Sequence, residues 1–161
     1  MIVLGVDPGT AATGYGLINT GKNPEMIGCD CIYTSSQMEM ADRLKIIYQK
    51  MSEIIHRFHP KEVAIEQIYF SKNSKTALSI GQARGVIMLA ASNEGIRVFN
   101  YSPLEVKQTI TGYGRATKHQ IQHMVKDLLH LSCVPRSSDS ADALAVALCH
   151  YYSRRGSGLN I

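Results

Sequence analysis

Two short apolar runs in this sequence each end in an acidic residue, and this feature most limits the folds open to the chain. MIVLGVD ends at Asp7 and KEVAIEQ carries Glu66 near its end. Short apolar runs of this length are typical of buried strands, and the Pro8-Gly9 pair that follows Asp7 predicts a turn. Because an uncompensated carboxylate is costly to bury, each acid needs a cation or hydrogen-bond donors at the end of its strand.

Strand-like and helix-like segments alternate after an opening group of three strands. We predict strands over residues 1–7, 13–19, 25–35, 61–67 and 97–100. Helical periodicity predicts helices over residues 40–58, 77–93, 119–131 and 139–152, with a shorter helix that has Pro103 in its first turn. Residues 71–76 are predicted to be a loop. This order of elements favours an α/β fold whose sheet is covered by helices.

The length of 161 residues and the 45% hydrophobic content fit one globular domain that needs no disulfide. We predict a domain over residues 1–152 and a flexible basic tail over residues 153–161. The sequence shows no signal-type leader and no membrane span, so we expect a cytoplasmic protein. The cysteines lack CxxC spacing and are predicted to be buried thiols rather than a zinc site; they are Cys29, Cys31, Cys133 and Cys149.

Positive charge is concentrated in the middle of the chain. The protein has a net charge of +4, and the stretch from Tyr69 to Lys118 has seven basic residues against two acidic ones. Such a stretch is expected in a protein that binds a polyanion such as nucleic acid, although it also fits an ordinary solvated face.

A second pair of acids opens the last, almost wholly apolar helix. Asp139 and Asp142 are three residues apart, which places them on one helical face with Cβ atoms about 5–6 Å apart. Together with Asp7 and Glu66 they provide the hard oxygen ligands that Mg²⁺ prefers, in a number that suits a metal-dependent phosphodiesterase. The alternative is that Asp139 and Asp142 form a capping box and stabilise the positive end of the helix.

Glycines and threonines follow the first strand in the segment DPGTAATGYG. Gly9, Gly14 and Gly16 permit tight turns and close backbone approach, and Thr10 and Thr13 offer hydroxyl groups. These features are shared by phosphate-contacting hairpins. A glycine-rich turn between adjacent strands explains them equally well.

Four blocks of the sequence resemble, in the same order, the motifs of the RuvC family of bacterial Holliday-junction resolvases. They are MIVLGVDPGTAATGYG, AIEQIYFSKNSKTALSIGQARG, SPLEVKQTITGYGRATKHQIQHMV and SSDSADALAVALCH. The resemblance implies a ribonuclease H-like fold with a mixed five-stranded sheet flanked by α-helices. It also implies a homodimer that makes paired nicks in four-way DNA junctions during recombination and repair, in cooperation with RuvA and RuvB.

The resemblance also assigns roles to individual residues. It implies that four metal-binding catalytic acids hold Mg²⁺ in each site, with two ions and with Mn²⁺ as a substitute; they are Asp7, Glu66, Asp139 and Asp142. It places Lys107 and Lys118 near the scissile phosphate and Tyr69 near the centre of the opened junction. Further DNA contacts are expected where cations lie near aromatic residues or follow them in the basic stretch, namely at Lys72, Lys75, Arg115 and Lys118.

Other functions fit parts of the sequence. An actin-like nucleotide-binding domain also begins with an apolar strand followed by Asp, Gly and Thr, but such folds need two related domains and this chain has residues for one. A junction-binding module without catalysis would not need all four acids. A ribonuclease of the same fold is a further alternative. The small-residue helix over 77–93 suits packing on the sheet, with a dimer contact as the second possibility.

Overall fold

The computed structural model describes residues 1–67 and 74–156. Within these ranges the chain forms five strands and five helices. The strands are β1 (Ile2–Asp7), β2 (Ala12–Thr20), β3 (Pro24–Tyr33), β4 (Glu62–Glu66) and β5 (Arg97–Tyr101). The helices are α1 (Met40–Phe58), α2 (Ser74–Asn93), α3 (Pro103–Thr111), α4 (Lys118–Leu128) and α5 (Ser138–Gly156).

The strands form one mixed sheet in the order β3-β2-β1-β4-β5. β1, β2 and β3 are antiparallel neighbours, whereas β4 and β5 extend the sheet parallel to β1. The two parallel connections each contain a helix, as parallel neighbours require. The predicted α/β fold with a mixed five-stranded sheet is therefore confirmed.

Helices cover both faces of the sheet, and alternate strand residues point to opposite layers. In β1, Leu4 and Val6 belong to the core cluster that contains Ile47 of α1 and Ile87 of α2. Val3 belongs to the other cluster, together with Leu144 of α5. Gly5 and Asp7 are in phase with Val3, so the acid at the end of β1 lies on the α5 face of the sheet.

A buried polar network holds the C-terminal part of α5 against the sheet. His150 is fully buried, and its Nε2 lies 2.8 Å from Glu62 Oε2 while its Nδ1 lies 2.8 Å from the Tyr101 hydroxyl. Glu62 Oε1 also lies 3.3 Å from Arg97 Nη2 and 3.3 Å from Arg154 Nη1. Because a buried carboxylate needs such partners, these contacts fix α5 relative to β4.

Several predicted boundaries differ from the observed ones, and three of the differences concern residues 74–76, Lys118 and the tail. Residues 74–76 of the predicted loop form the first turn of α2, and Lys118, also placed in a loop, is the first residue of α4. The predicted tail begins too early, because α5 continues to Gly156. Arg154 bonds Glu62, and Arg155 donates to the Lys22 carbonyl at 2.9 Å, so contacts outside the helix support its last turn. The rest of the predicted tail, residues 157–161, lies outside the described residues.

The four cysteines are free thiols, as expected, but their burial differs from the prediction. Cys149 is buried, Cys29 and Cys31 are half-buried, and Cys133 is exposed. No described helix combines the length and the apolar character that a bilayer span requires.

Candidate active site

The strand register brings the two strand-end acids together. β1 and β4 are parallel, with Val6 opposite Ile65, so Asp7 and Glu66 are the next residues at the same edge of the sheet. Glu66 is in phase with Ala64, which packs in the α5 layer as Val3 does. Both carboxylates therefore lie on the sheet face that α5 covers.

The first turn of α5 brings Asp139 and Asp142 to the same edge. The helix begins at Ser138, and the backbone N–H of Asp139 donates to Ser137 Oγ at 3.2 Å. Ser137 thus provides the capping oxygen that the alternative interpretation assigned to Asp139. A serine one residue before a helix is a sequence signal for the capping residue. It was overlooked because Asp139, two residues later, can serve as a cap too. The Asp139 carboxylate instead faces Lys118, with 3.8 Å between Oδ1 and Nζ.

Glycines on β1 and β2 let α5 approach the sheet closely. A Cβ atom on Gly14 would lie 2.0 Å from the carbonyl oxygen of Asp139, and one on Gly5 would lie 2.1 Å from that of Ala143. Gly14 pairs with Asp7 across the β1–β2 ladder, so this gap is directly beside the acid. The absence of a side chain at Gly14 is therefore what lets Asp139 approach Asp7.

The structure favours the turn interpretation of DPGTAATGYG. Thr13 is buried, and its hydroxyl donates to the Gly9 carbonyl at 2.6 Å within the turn. A Cβ atom on Gly9 would lie 2.3 Å from the Ala12 carbonyl oxygen, so the tight turn itself requires this glycine. The segment is a turn between adjacent strands, followed by the glycine surface on which α5 packs.

Three carboxylates are close enough to share one cation. Asp7, Asp139 and Asp142 each offer an oxygen, and these oxygens all lie within 4.8 Å of one another. Glu66 is outside this set but lines an adjoining cavity of about 170 Å³ together with Asp142, Lys107 and Lys118. We call the four acids Asp7, Glu66, Asp139 and Asp142 the acidic site.

Lys118 is the cation in contact with the acidic site. Its Nζ lies 2.8 Å from Asp142 Oδ2, in addition to its contact with Asp139. Partial burial opposes the charged form, but the hydrogen bond with Asp142 and the neighbouring carboxylates raise the pKa of Lys118 above its usual value. Thr117 is the N-cap of α4, and this cap fixes Lys118 as the first residue of the helix.

The crowding of carboxylates disfavours their charged forms. Burial, followed by the charges of Glu66, Asp142 and Asp139, raises the pKa of Asp7 from 3.8 to about 8. Burial and Asp142 raise the pKa of Glu66 from 4.5 to about 7, although Lys107 and Lys118 oppose this. Burial also raises the pKa of Asp142, against the effect of Lys118.

The donor set and its electrostatics suit a divalent metal ion. All four groups are carboxylates, which are the hard oxygen ligands of Mg²⁺ and related ions. Perturbed acids at the edge of a cavity are typical of functional sites. A cation would offset the burial and the carboxylate repulsion that together raise the pKa of Asp7. The sequence-based ligand set therefore fits the geometry, with Glu66 beside the other three.

The predicted DNA contacts lie on several different elements of the chain. Lys107 projects from α3 into the cavity that Glu66 lines. Arg115 is exposed in the loop between α3 and α4, and Lys75 is exposed in the first turn of α2. Tyr69 and Lys72 lie outside the described residues, so their predicted contacts remain predictions.

Comparison with known sequences identifies close relatives over nearly the whole chain. The family model described as "Crossover junction endodeoxyribonuclease RuvC" matches residues 3–150. The chain is 52% identical over 155 residues to the protein of that name from Caldicellulosiruptor saccharolyticus, covering 95% of this chain and 93% of the relative. It is 51% identical over 151 residues to the one from Pelotomaculum thermopropionicum, covering 93% and 92%.

Solved structures show the same relationship. Thermus thermophilus RuvC matches with a TM-score of 0.89 and 37% identity, covering 97% of each chain. The same protein in complex with a Holliday junction substrate matches with a TM-score of 0.88 and 34% identity, covering 98% of this chain and 97% of that one. The yeast mitochondrial Holliday junction resolvase Ydc2, at 14% identity and a TM-score of 0.68, covers 98% of this chain and 83% of its own, and shares the fold. Because sequence and backbone both match over almost the full length, this chain belongs to the RuvC family of crossover junction endodeoxyribonucleases.

Proposed function

We propose that this protein is a metal-dependent DNA endonuclease that resolves four-way junctions by paired symmetric nicks in recombination and repair. The observation that carries the proposal is the convergence of Asp7, Asp139 and Asp142 within 4.8 Å, with Glu66 at their side. Family membership supports the same activity, because relatives at about half identity are named crossover junction endodeoxyribonucleases.

The acidic site would hold the metal, and we propose Mg²⁺, two ions per site, with Mn²⁺ able to substitute. Bound ions of this kind supply Lewis acidity to the scissile phosphate and make an attacking water a stronger nucleophile. The protein's own contribution is to fix the four carboxylates on β1, β4 and α5, which removes the cost of arranging them during reaction.

The two lysines are proposed to act on the phosphate. Lys118 neutralises part of the charge on Asp139 and Asp142, and Lys107 lines the same cavity from α3. Both ammonium groups are placed to stabilise negative charge that develops on the scissile phosphate. Exposed cations beyond the cavity, such as Arg115 and Lys75, are proposed to hold the DNA backbone, which positions the junction without reading its sequence.

Cleavage of a four-way junction and of a linear duplex with the same sequence, each in Mg²⁺, tests this function. We expect paired nicks in the junction, little cleavage of the duplex, and no cleavage with EDTA. Equal cleavage of both DNAs would contradict junction selectivity. Preferential cleavage of an RNA competitor would identify a ribonuclease, and thermal stabilisation by ATP without cleavage would favour the nucleotide-binding alternative.

Two symmetric nicks need two acidic sites, so we propose a homodimer. α2 supplies a surface for it, because the helix is apolar on two sides. Ala83, Ile87 and Ala90 are buried against the sheet, whereas Leu78 and Leu89 are 66% and 52% exposed. Gly85 lies on the same exposed face as these leucines, with open space above it. Exposed large apolar side chains on one helical face are typical of a protein contact.

Charge placed on this face should separate the subunits. We expect wild-type protein at micromolar concentration to scatter light with about twice the 17.7 kDa chain mass, and the double variant Leu78→Glu, Leu89→Glu to have the single-chain mass. The matched control Ile27→Glu, on an exposed part of β3, should remain dimeric. Mixed dimers with one Asp7→Asn subunit should nick one strand and resolve junctions poorly. Paired nicks made by a wild-type monomer would contradict the dimer.

Cooperation with RuvA and RuvB follows from the family resemblance and remains a proposal, as does action in the cytoplasm where the proposed DNA substrate would be found. The domain limits are also proposed: the nuclease domain extends beyond the predicted residue 152 to Gly156, where α5 ends. Arg154 and Arg155 pack on this domain, which makes its compact part extend at least to α5's last turn.

A further inference from the structure

The loop between α3 and α4 exposes an aromatic ring. Tyr113 is 58% exposed, and Leu104, in the first turn of α3, is 55% exposed. Gly114, the residue after Tyr113, lies against Leu104, since a Cβ atom there would be 2.6 Å from Leu104 Cδ1. Tyr113 is thus adjacent in the chain to the glycine that contacts Leu104, and we call these two exposed side chains the loop patch. Large exposed apolar groups placed together commonly mark a binding surface.

The backbone of Tyr113 is fixed although its ring is exposed. Gly112 ends α3 in a left-handed conformation with φ of 72°, and its N–H donates to the Gln108 carbonyl at 2.8 Å. The Tyr113 N–H donates to Thr111 Oγ1 at 3.2 Å, and this hydroxyl in turn lies 2.8 Å from the Lys107 carbonyl oxygen. The Thr111 hydroxyl therefore links the backbone of Tyr113 to the backbone of Lys107, whose side chain lines the cavity beside Glu66.

The same loop leads along the chain to Lys118, which contacts the acidic site. The Ala116 N–H donates to the Tyr113 carbonyl at 3.2 Å, which closes a turn. Lys118, in contact with Asp139 and Asp142, follows Ala116 by two residues, a span of at most about 7 Å. Arg115 is exposed within the same loop. Lys107, Arg115 and Lys118 therefore lie within six residues of Tyr113 along the chain, and all three suit phosphate groups.

An exposed aromatic face among cations matches one ligand chemistry, a nucleobase whose backbone phosphates are held beside it. A base in a continuous duplex is stacked on both sides and cannot offer a face to a side chain. The exchange point of a junction has bases that lose a stacking neighbour. We propose that Tyr113 is a stacking platform for an unstacked base next to the scissile phosphate; this rests on the proposed junction-resolving function.

Junction affinity in a cleavage-deficient background tests the platform. In full-length protein carrying Asp7→Asn, we would compare Tyr113 with Tyr113→Ala and Tyr113→Phe on a four-way junction and on a linear duplex of the same sequence, in Mg²⁺. Tyr113→Ala should weaken junction binding roughly 5- to 150-fold, the range that loss of one base–aromatic stack gives. It should leave duplex binding unchanged, and Tyr113→Phe should retain full affinity.

A fluorescent base gives a second readout. With 2-aminopurine at the exchange point, stacking on Tyr113 should change its fluorescence on binding, and Tyr113→Ala should remove that change while Tyr113→Phe preserves it. Ile27→Ala, which truncates an exposed apolar side chain on β3, is the matched control and should behave as the parent. Unchanged junction affinity in Tyr113→Ala, equal loss on junction and duplex, or equal loss in Tyr113→Phe would each overturn the platform. Failure of the parent to prefer junction over duplex would instead overturn the proposed function.

Discussion

Asp7→Asn is expected to reduce junction cleavage by about 10³-fold or more, equivalent to about 4 kcal/mol of transition-state stabilisation. Asp7 is the only member of the acidic site on the central strand, β1. One of its carboxylate oxygens lies within 4.8 Å of an oxygen of each of the two α5 acids. An amide of the same shape cannot supply the negative charge that holds a divalent ion. Junction binding should persist, because we propose that the basic residues, and not the acids, hold the DNA backbone.

Single-turnover cleavage and equilibrium binding of the same junction measure these two effects separately. The matched control is Asp127→Asn, which removes an exposed acid near the C-terminal end of α4 and should leave both quantities unchanged. Cleavage by Asp7→Asn at the wild-type rate would exclude Asp7 from the metal site. Loss of binding equal to the loss of cleavage would show that the acid organises the DNA surface.

The same substitution should stabilise the metal-free protein. The folded-state pKa of Asp7, about 8, is above its unfolded value of 3.8, so its contribution to stability is fully present below pH 3.8 and is lost as pH rises through about 8. Asn does not ionise and avoids this loss. In EDTA, the melting temperature of Asp7→Asn should therefore exceed that of wild type by an amount that grows from pH 5 to pH 9, and Mg²⁺ should reduce the difference. A gap that narrows with increasing pH would contradict the electrostatic account.

Gly14→Ala should damage both stability and cleavage, although alanine adds one methyl group. The new Cβ would lie 2.0 Å from the Asp139 carbonyl oxygen and 2.3 Å from its carbonyl carbon. Backbone atoms at both positions cannot move independently, so α5 must shift away from β2. Overpacking of this kind costs about 3 kcal/mol, which lowers the melting temperature by about 6–12 °C for a chain of this size. Displacement of Asp139 by about 1 Å should slow cleavage about 100-fold.

Thermal unfolding and cleavage below the melting temperature of the variant distinguish these effects. Gly28→Ala is the matched control, because Gly28 is also a strand glycine but a Cβ atom there meets nothing within 4 Å. It should retain wild-type cleavage and stability. If Gly14→Ala melts and cleaves as wild type does, the close approach of α5 does not set the position of Asp139.

Much of the site was predictable because its acids occupy positions that charge normally avoids. Asp7 and Glu66 end apolar strands, and Asp139 and Asp142 open an apolar helix, so each acid could be singled out from its local sequence. The helices and strands themselves followed from periodicity, to within a few residues at their ends. That the four acids share one metal site was expected from their number and residue type, and the family resemblance implied the same set.

The glycine surface under α5 was not predictable, because its partner is about 125 residues away in the sequence. The local sequence around Gly14 is the same whether the glycine is needed for the nearby turn or for close contact with a distant helix. The strand order is similarly nonlocal: β4 pairs with β1 and separates it from β5 although α1 intervenes in the chain. Ser137 was hidden for a different reason, since Asp139 offered an equally good capping oxygen two residues later.

The position of α5 in the chain has a consequence for synthesis. α5 packs on all five strands and carries two of the four acids, yet it is made after every one of those strands. A nascent chain that has emerged only to residue 137 contains Asp7 and Glu66 but lacks Asp139, Asp142 and the helix that packs on this face of the sheet. If the four acids form the catalytic site as proposed, a ribosome-bound fragment that ends before α5 is expected not to cut DNA, and the nuclease forms only after the last helix is made.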